Sequence, residues 1–440
     1  DLSEVEMHAI QTSGNCIRNI SSDHFAGICE DEIEDPRPWC EIIRKWSTFH
    51  PEFSFLPRKF KIAVTGSNVD RAAIKFHDIG LKIVKQKNNI GFEVFVGGGQ
   101  GRSPYVAKQI HNFVKQKDLL NYLEAILSTY NELGRRDNIY KARIKILVHE
   151  LGIDKFKELV ESNFLKFKDK RLDLDSKFIN KTKEFFSLPN LKIKQKSVSF
   201  PENIEFNNWL MRNVVKHKVK GFSIVLISLK QNGKPPGDAT SDQMRKIAAI
   251  SEEFSFSEIR VTHEQNLVLP HIENSKLSEV WVQLKKSGLA TPNLGLISDT
   301  ICCPGMDYCA LATARSIPIS NKISEKYKNF NKQNDIGNLK IKISGCINAC
   351  GHHHVGNIGI LGLERNGHES YQLTLGGSAD ENASIGEILG PSFQEDKLMR
   401  AIEKILMVYK ENRKNENEDF LKVYKRIGIT PFKEGVYDNT

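Results

Sequence analysis

Residues 340–360 read KIKISGCINACGHHHVGNIGI, and the same frame occurs once before in the chain. KIAVTG (61–66) precedes KIKISG (340–345) by an offset of 279 residues. Without a gap, that offset also sets DIGL (78–81) on NIGI (357–360) and FEVFVGG (92–98) on YQLTLGG (371–377). Each copy reads as a strand ending in glycine, a loop, a strand around Ile-Gly, and a hairpin partner ending in Gly-Gly. Alternation in FEVFV and YQLTL suits half-buried strands, and the glycines admit a close approach by a bulky ligand. The copies differ in the loop after the first strand: SNVDR (67–71) in one, CINAC (346–350) in the other. A duplicated scaffold with one specialised loop predicts an α+β fold with a pseudo-twofold repeat and one working site.

The rest of the chain frames this repeat. Its 440 residues exceed one ordinary core, so two or three domains are expected. Residues 1–165 hold the first repeat, and 166–200 are lysine-rich and read as a linker. In 201–288, GFSIVLISL, the turn PPGD, TSDQMRKIAAISEEF, SEIRVTHEQNLVLPHI and KLSEVWVQLKKSGL alternate strand and helix in the order of a ferredoxin-like half-domain. Residues 289–440 hold the second repeat. They close on an amphipathic helix with Leu398, Ile402, Ile405, Leu406 and Tyr409 on one face. A twin of the half-domain would precede residue 1 and is absent. The start DLSEVEMHAI lacks a methionine, which suggests a fragment or a processed form.

Composition excludes some functions. The hydrophobic fraction is 40% and the charged fraction 27%, values of a soluble globular chain. Apolar runs such as SIVLISL are too short to span a bilayer, and no signal peptide is visible. A cytoplasmic location without membrane contact is expected. The net charge of +9 is met by solvated lysine faces or by attraction to anionic partners. No block of basic and aromatic residues suggests a nucleic-acid groove.

The eight cysteines are unevenly placed. Cys303 and Cys309 have five residues between them, Cys346 and Cys350 three. Two local pairs of thiols can hold a 4Fe–4S cluster or a tetrahedral zinc, or lie buried and inert. Cys302 adjoins Cys303 but lacks the spacing. Cys16, Cys29 and Cys40 read as small buried residues. ALATARS, after Cys309, reads as a helix start. The consecutive His352, His353 and His354 cannot all face one metal and read as loop residues.

Taken with NCIRNI (15–20), SDHFAGI (22–28), LPRKFKIAVTG (56–66), FVGGGQGR (95–102), KARIKIL (141–147), RVTHEQNLVLP (260–270) and SGCINACG (344–351), the cysteine spacing resembles the assimilatory nitrite and sulfite reductase hemoproteins, nearest the bacterial sulfite reductase hemoprotein component. The resemblance covers nearly the whole chain and implies two siroheme-binding α/β repeats with a ferredoxin-like half-domain. It implies siroheme and a 4Fe–4S cluster held by Cys303, Cys309, Cys346 and Cys350, with Cys350 shared with the siroheme iron. It implies Arg18, Lys59 and Lys61 as a clamp on the substrate anion. Arg143, Lys145, Arg260, Thr262, Gln265, Asn266 and Asn348 would contact siroheme. The implied reaction is six-electron reduction of sulfite to sulfide, with electrons from a ferredoxin or a flavoprotein reductase subunit. Nitrite reduction to ammonia, and a non-catalytic zinc scaffold, are the alternatives. The chain departs from the family in its missing N-terminal half-domain and in Asn357, where an acidic residue is frequent.

Overall fold

A computed structural model describes residues 1–5, 7–167, 172, 174–192 and 200–437. The chain divides into two compact units, one of residues 1–99 and 105–189, the other of 100–104 and 190–440.

The first unit is built on a five-stranded sheet in sequential order: β1 (Ile17–Ser21), β2 (Phe60–Thr65), β3 (Ile79–Gln86), β4 (Asn89–Val96) and β5 (Lys108–Lys115). β1, β2 and β3 are parallel, and β3, β4 and β5 antiparallel. The helices α1 (Arg37–Ser47), α2 (Leu119–Leu133), α3 (Ile144–Leu151) and α4 (Ile153–Phe167) bury one face of the sheet. That face carries Phe60, Ile62, Val64, Leu81, Phe92 and Val94, packed with Trp39, Tyr122 and Phe156. The segment read as a linker holds a further helix, α5 (Ser176–Phe185). Asp175 caps it through the Lys177 amide, and it buries Ile179 and Thr182. Lysine content there reflects a solvated outer face, not a lack of structure. Residues 168–171, 173 and 193–199 of that segment lie outside the described residues.

The second unit contains two bodies. The half-domain has α6 (Ile204–Asn213), β6 (Val214–Lys216), β7 (Phe222–Ile227), α7 (Ser241–Phe254), β8 (Arg260–Val261), β9 (Leu267–Glu273) and α8 (Leu277–Lys286), with sheet order β6-β7-β9-β8. Thr240 and Gln243 close a capping box at the start of α7, which is why the helix begins there. The second repeat has β10 (Ile301–Cys302), α9 (Ile317–Lys326), α10 (Phe330–Ile336), β11 (Ile341–Ser344), β12 (Ile358–Arg365), β13 (His368–Leu375), β14 (Glu387–Ile388), α11 (Glu395–Asn412), α12 (Phe420–Ile427) and α13 (Thr430–Tyr437), its strands also in sequential order. ALATARS forms no helix. α9 starts only at Ile317, with Pro318 in its first turn, a place proline tolerates because no intrahelical donor is needed there.

From β2 and β11 onward, the two repeat sheets match at the offset of 279. Ile62 pairs with Ile79 as Ile341 pairs with Ile358. Ile79 faces Val96 as Ile358 faces Leu375. The bridge Gly99–Tyr105 recurs as Ser378–Ser384. Even the left-handed residues Ala73 and Lys87 have counterparts in His352 and Asn366, with φ of 53°, 54°, 58° and 54°. Among the described residues, no helix is long and apolar enough to cross a membrane.

Candidate functional site

In the first unit, the strand period puts Lys59 and Lys61 opposite buried Phe60, on the face away from the main core. Lys61 is anchored through its backbone, whose N–H donates to Asp78 Oδ2 at 2.9 Å. Asp78 is fully buried and also takes Arg143, at 2.7 Å from Nη2 to each carboxylate oxygen. Arg143 in turn precedes the first turn of α3. Partial burial lowers the Lys59 pKa, and Arg143, Arg18, Lys61 and Arg58 lower it further. These groups therefore stand close enough to repel. Lys145 is buried, its Cδ 3.2 Å from where a Cβ on Gly99 would lie. Burial first, then Arg143, brings its pKa down to about 8. Arg18 is half-buried on β1, its Nε donating to Gly14 O at 3.0 Å. The result is a patch of cations whose own carboxylate, Asp78, is already engaged, which suits a polyvalent anion.

In the second unit, the cysteine loops leave adjacent strand ends. β10 runs parallel to β11 with Cys302 opposite Ile343. Cys303 Sγ then accepts the Gly345 N–H at 3.1 Å and lies 3.5 Å from Ser316 Oγ. The loop after Cys309 folds over the same spot, where Thr313 and Ala314 N–H both donate to Gly345 O. A Cβ on Gly345 would stand 2.6 Å from Ala314 O, so only glycine permits this closure. Residues 346–350 turn back at once: Ala349 has φ of 56°, and Gly351 N–H donates to Ser344 Oγ at 3.1 Å. Cys346 is buried, Cys303 and Cys309 half-buried, Cys350 and Asn348 exposed. Cys302 points into the core instead, where burial holds its thiol well above the ordinary range. His354 Nε2 donates to Gly101 O at 2.8 Å.

The first repeat shows what these four positions do in space. At the offset of 279, Ser67 and Arg71 stand for Cys346 and Cys350. Ser21 faces Ala63 on β2 as Ile301 faces Lys342 on β11, which sets an offset of 280 for the preceding segment. Asp23 and Cys29 then stand for Cys303 and Cys309, with the same five-residue gap. All four side chains meet. Arg71 Nη2 donates to Ser67 Oγ at 2.8 Å and to Cys29 Sγ at 3.1 Å. Cys29 Sγ lies 3.2 Å from Ser67 Oγ, and Arg71 Nε 3.7 Å from Asp23 Oδ1. Four positions that converge in one copy of a registered scaffold fit four thiolates gathered about one group in the other. Among the described residues, no three His, Cys, Asp or Glu side chains close on a single ion. Zinc needs four ligands at about 2.0–2.3 Å from one centre. A cubane places each thiolate on a different iron and spreads its ligands wider.

The half-domain braces these loops. Gln265, at φ of 57°, pairs both amide atoms with the Cys302 peptide, at 2.9 and 3.0 Å. Thr262 Oγ1 accepts the amides of Glu264 and Asn266. Asn266 is buried; its Oδ1 accepts from Leu229 N and Lys230 Nζ, and its Nδ2 donates to Asp299. Lys230 and Asp299 form a buried ion pair at 2.9 Å. Arg260 is tied to Glu258 at 2.7 Å. Thr262, Gln265 and Asn266 thus hold the turn in place with most of their bonding capacity. Ser344 and the Lys230–Asp299 pair escaped the sequence reading, since a lone serine or a pair distant in sequence carries no spacing signal, while Asp78 entered it only as the acid before Ile-Gly, without its bonds to Lys61 and Arg143.

The chain matches the family model described as nitrite and sulphite reductase 4Fe-4S domain over residues 13–167 and 296–440. Residues 232–287 match the nitrite/sulfite reductase ferredoxin-like half domain. It is 25% identical over 438 residues to the chloroplastic ferredoxin–nitrite reductase of Arabidopsis thaliana, covering 95% of this chain and 68% of that protein. It is 25% identical over 434 residues to sulfite reductase [ferredoxin] 1 of Mycolicibacterium paratuberculosis, covering 95% and 71%. The Mycobacterium tuberculosis NirA protein has the same fold, with a TM-score of 0.77 at 24% identity over 98% of this chain and 74% of that one.

Proposed function

The chain belongs to the nitrite and sulphite reductase family, and from that premise we propose that it reduces sulfite to sulfide with six electrons at a siroheme coupled to a 4Fe–4S cluster. The observation that carries this reading is the convergence of four side chains at the first-repeat counterparts of Cys303, Cys309, Cys346 and Cys350. These four cysteines would hold the cluster, and exposed Cys350 would also serve the siroheme iron. When bound, siroheme and cluster would supply a redox-active iron and a store of single electrons.

The chain's own residues do the rest. The Gly345 N–H on Cys303 Sγ draws charge from that sulfur, one of the levers that sets a cluster potential. Arg18, Lys59 and Lys61 neutralise the substrate oxyanion and orient it, and the two ammonium groups give protons to the departing oxygens. Arg143, Lys145, Arg260, Thr262, Gln265, Asn266 and Asn348 position the siroheme and its carboxylates, some by direct contact and Gln265 and Asn266 through the turn they brace. Asp78 keeps Lys61 and Arg143 in register.

Nitrite reduction to ammonia on the same groups is the second reading, favoured by equal identity to a relative named for nitrite. Both relatives are named for ferredoxin, which supports an acidic ferredoxin as donor to a chain of net charge +9, ahead of a flavoprotein subunit. The proposed location is the cytoplasm. An absorption spectrum with iron and acid-labile sulfide analysis tests the cofactors, and steady-state competition between sulfite and nitrite tests the substrate. A colourless, zinc-containing protein would overturn the reading.

A further inference from the structure

Ala63, Ala72, Ile74, Phe95 and Ala107 pack as one small apolar cluster of the first repeat. Ala63 alternates with Ile62 and Val64, so this cluster covers the sheet face away from the main core. At the offset of 279 its counterparts are Lys342, Gly351, His353, Thr374 and Gly386. Every hydrocarbon side chain has been replaced. The backbone has not moved with them: Ala107 N donates to Lys75 O, and Gly386 N donates to His354 O, at 2.7 and 2.8 Å. Lys342, Gly359 and Thr374 are direct neighbours across three strands.

The new polar groups are buried and unmatched. His353 is 1% exposed, and neither ring nitrogen has a hydrogen-bond partner. Thr374 Oγ1 has none either. Lys342 is 5% exposed, and its ammonium makes no hydrogen bond or ion pair among the described residues. Glu264 and Asp299 act on it from nearby, but they are paired with Lys340 and Lys230. Burial, with His354 and His352 beside it, holds the His353 pKa down to about 3, so the ring is neutral and one nitrogen can donate. The first repeat proves that the fold is content with hydrocarbon here. An ammonium, a hydroxyl and an imidazole N–H on one buried patch call for an acceptor that carries negative charge.

We propose that Lys342, His353 and Thr374 form a binding site for an anionic oxygen group, a carboxylate or a small oxyanion, which the first repeat lacks. The group comes either from a carboxylate of the bound tetrapyrrole, a source that rests on the function proposed above, or from a free oxyanion. The variants K342A and H353I restore the first repeat's own residues, and T374V removes one hydroxyl at constant size. Each is compared with the unaltered holoprotein in two measurements: tetrapyrrole retained through gel filtration, by absorbance, and the rise of Tm with added inorganic phosphate. A cofactor carboxylate predicts at least tenfold faster tetrapyrrole loss in K342A and H353I, and slower but measurable loss in T374V. A free oxyanion predicts full retention, with the phosphate-dependent rise of Tm present in the unaltered protein and lost in all three. If unaltered protein holds no tetrapyrrole, the functional reading fails while the phosphate measurement still decides the site. Variants that match the unaltered protein in both measurements would overturn the proposal and leave a water-filled polar patch.

Discussion

Arg71 donates to Ser67 Oγ at 2.8 Å where the second repeat has Cys350 and Cys346. A guanidinium, tied also to Asp31 at 3.0 Å, thus occupies the first repeat's counterpart of the proposed cluster site. In the first repeat that cation lies between the carboxylates of Asp23 and Asp31, and only one of the four positions is a cysteine, so the proposed reading gives each chain a single cluster.

Restoring the thiols should restore a site. In the triple variant D23C/S67C/R71C, native Cys29 completes the set, and cluster reconstitution should raise iron from about five to about nine per chain, the siroheme iron included. R71C alone should not, and should be less stable, since Asp23 and Asp31 lose their counter-charge. Iron and acid-labile sulfide counts decide it. Unchanged iron in a folded triple variant would show that the four positions do not gather as the contacts imply.

Lys61 is the clamp residue whose backbone the fold fixes, through Asp78. K61M keeps that backbone bond and removes only the ammonium. Turnover of sulfite should fall about 10²–10³-fold, the range for losing one electrostatic donor in a preorganised site. The visible spectrum should stay as it is. Equal turnover would remove Lys61 from the reaction.

Much of this was legible in the sequence, and the gaps have physical causes. The repeat was readable because strands β2 to β4 and β11 to β13 need the same alternation and the same glycines. The thiols were readable because ligands to one cluster must recur at loop spacing. Asp23 and Cys29 were not, because the segment before the repeat runs at an offset of 280 and only the sheet register aligns it. The α5 helix was hidden by a lysine-rich outer face, and ALATARS misled because high helix propensity yields to two amides bonded to Gly345 O. Asn357 stands where the family frequently has an acid, and its Oδ1 accepts the Lys340 N–H at 2.8 Å, as Asp78 does for Lys61. Only the second role differs: Asp78 carries Arg143, whereas Asn357 donates to Gly377 O at 3.1 Å.

That difference can be exchanged. D78N keeps an acceptor for Lys61 but strips the buried partner from Arg143, and should destabilise the first unit by about 3–5 kcal/mol. N357D places a buried carboxylate with no arginine beside it. Its folded pKa should rise above the unfolded value of about 4, so its penalty is present at pH 7 and fades as pH falls toward 4. Urea unfolding at pH 7 and pH 5 should show N357D approaching the unaltered protein at the lower pH. A constant gap would refute the assignment.

Lys145 gives a pH effect of the opposite sense. Its folded pKa of about 8 lies below the ordinary lysine value of 10.5, so folding strains the protonated form. Without a bound anion, that penalty is complete below pH 8 and is relieved as pH rises toward 10.5, by up to about 3 kcal/mol. Cofactor-free protein should therefore gain stability from pH 7.5 to 9.5 relative to K145M. With an anion bound at Lys145 the gain should shrink, because the anion pulls the pKa back up. Parallel curves for the two proteins without cofactor would contradict this.

Gly351 tests the cysteine loop most directly, because the first repeat has Ala72 at the same position and buries it without strain. In the second repeat a Cβ at 351 would overlap the Ile343 carbonyl oxygen and stand 3.1 Å from Ser344 Oγ, the group that accepts the Gly351 N–H. In the second repeat the loop turns back against its own strand end, with Ala349 N–H donating to Cys346 O at 3.2 Å and Gly351 N–H to Ser344 Oγ. G351A must open that return or lose the Ser344 bond, and either movement carries Cys350 away from the other three sulfurs. Iron content should drop below half that of the unaltered protein, while the far-UV spectrum changes little. The reverse change in the first repeat, A72G, should leave iron content as it was. If G351A binds a full complement of iron, the tight return is not what holds the fourth thiolate.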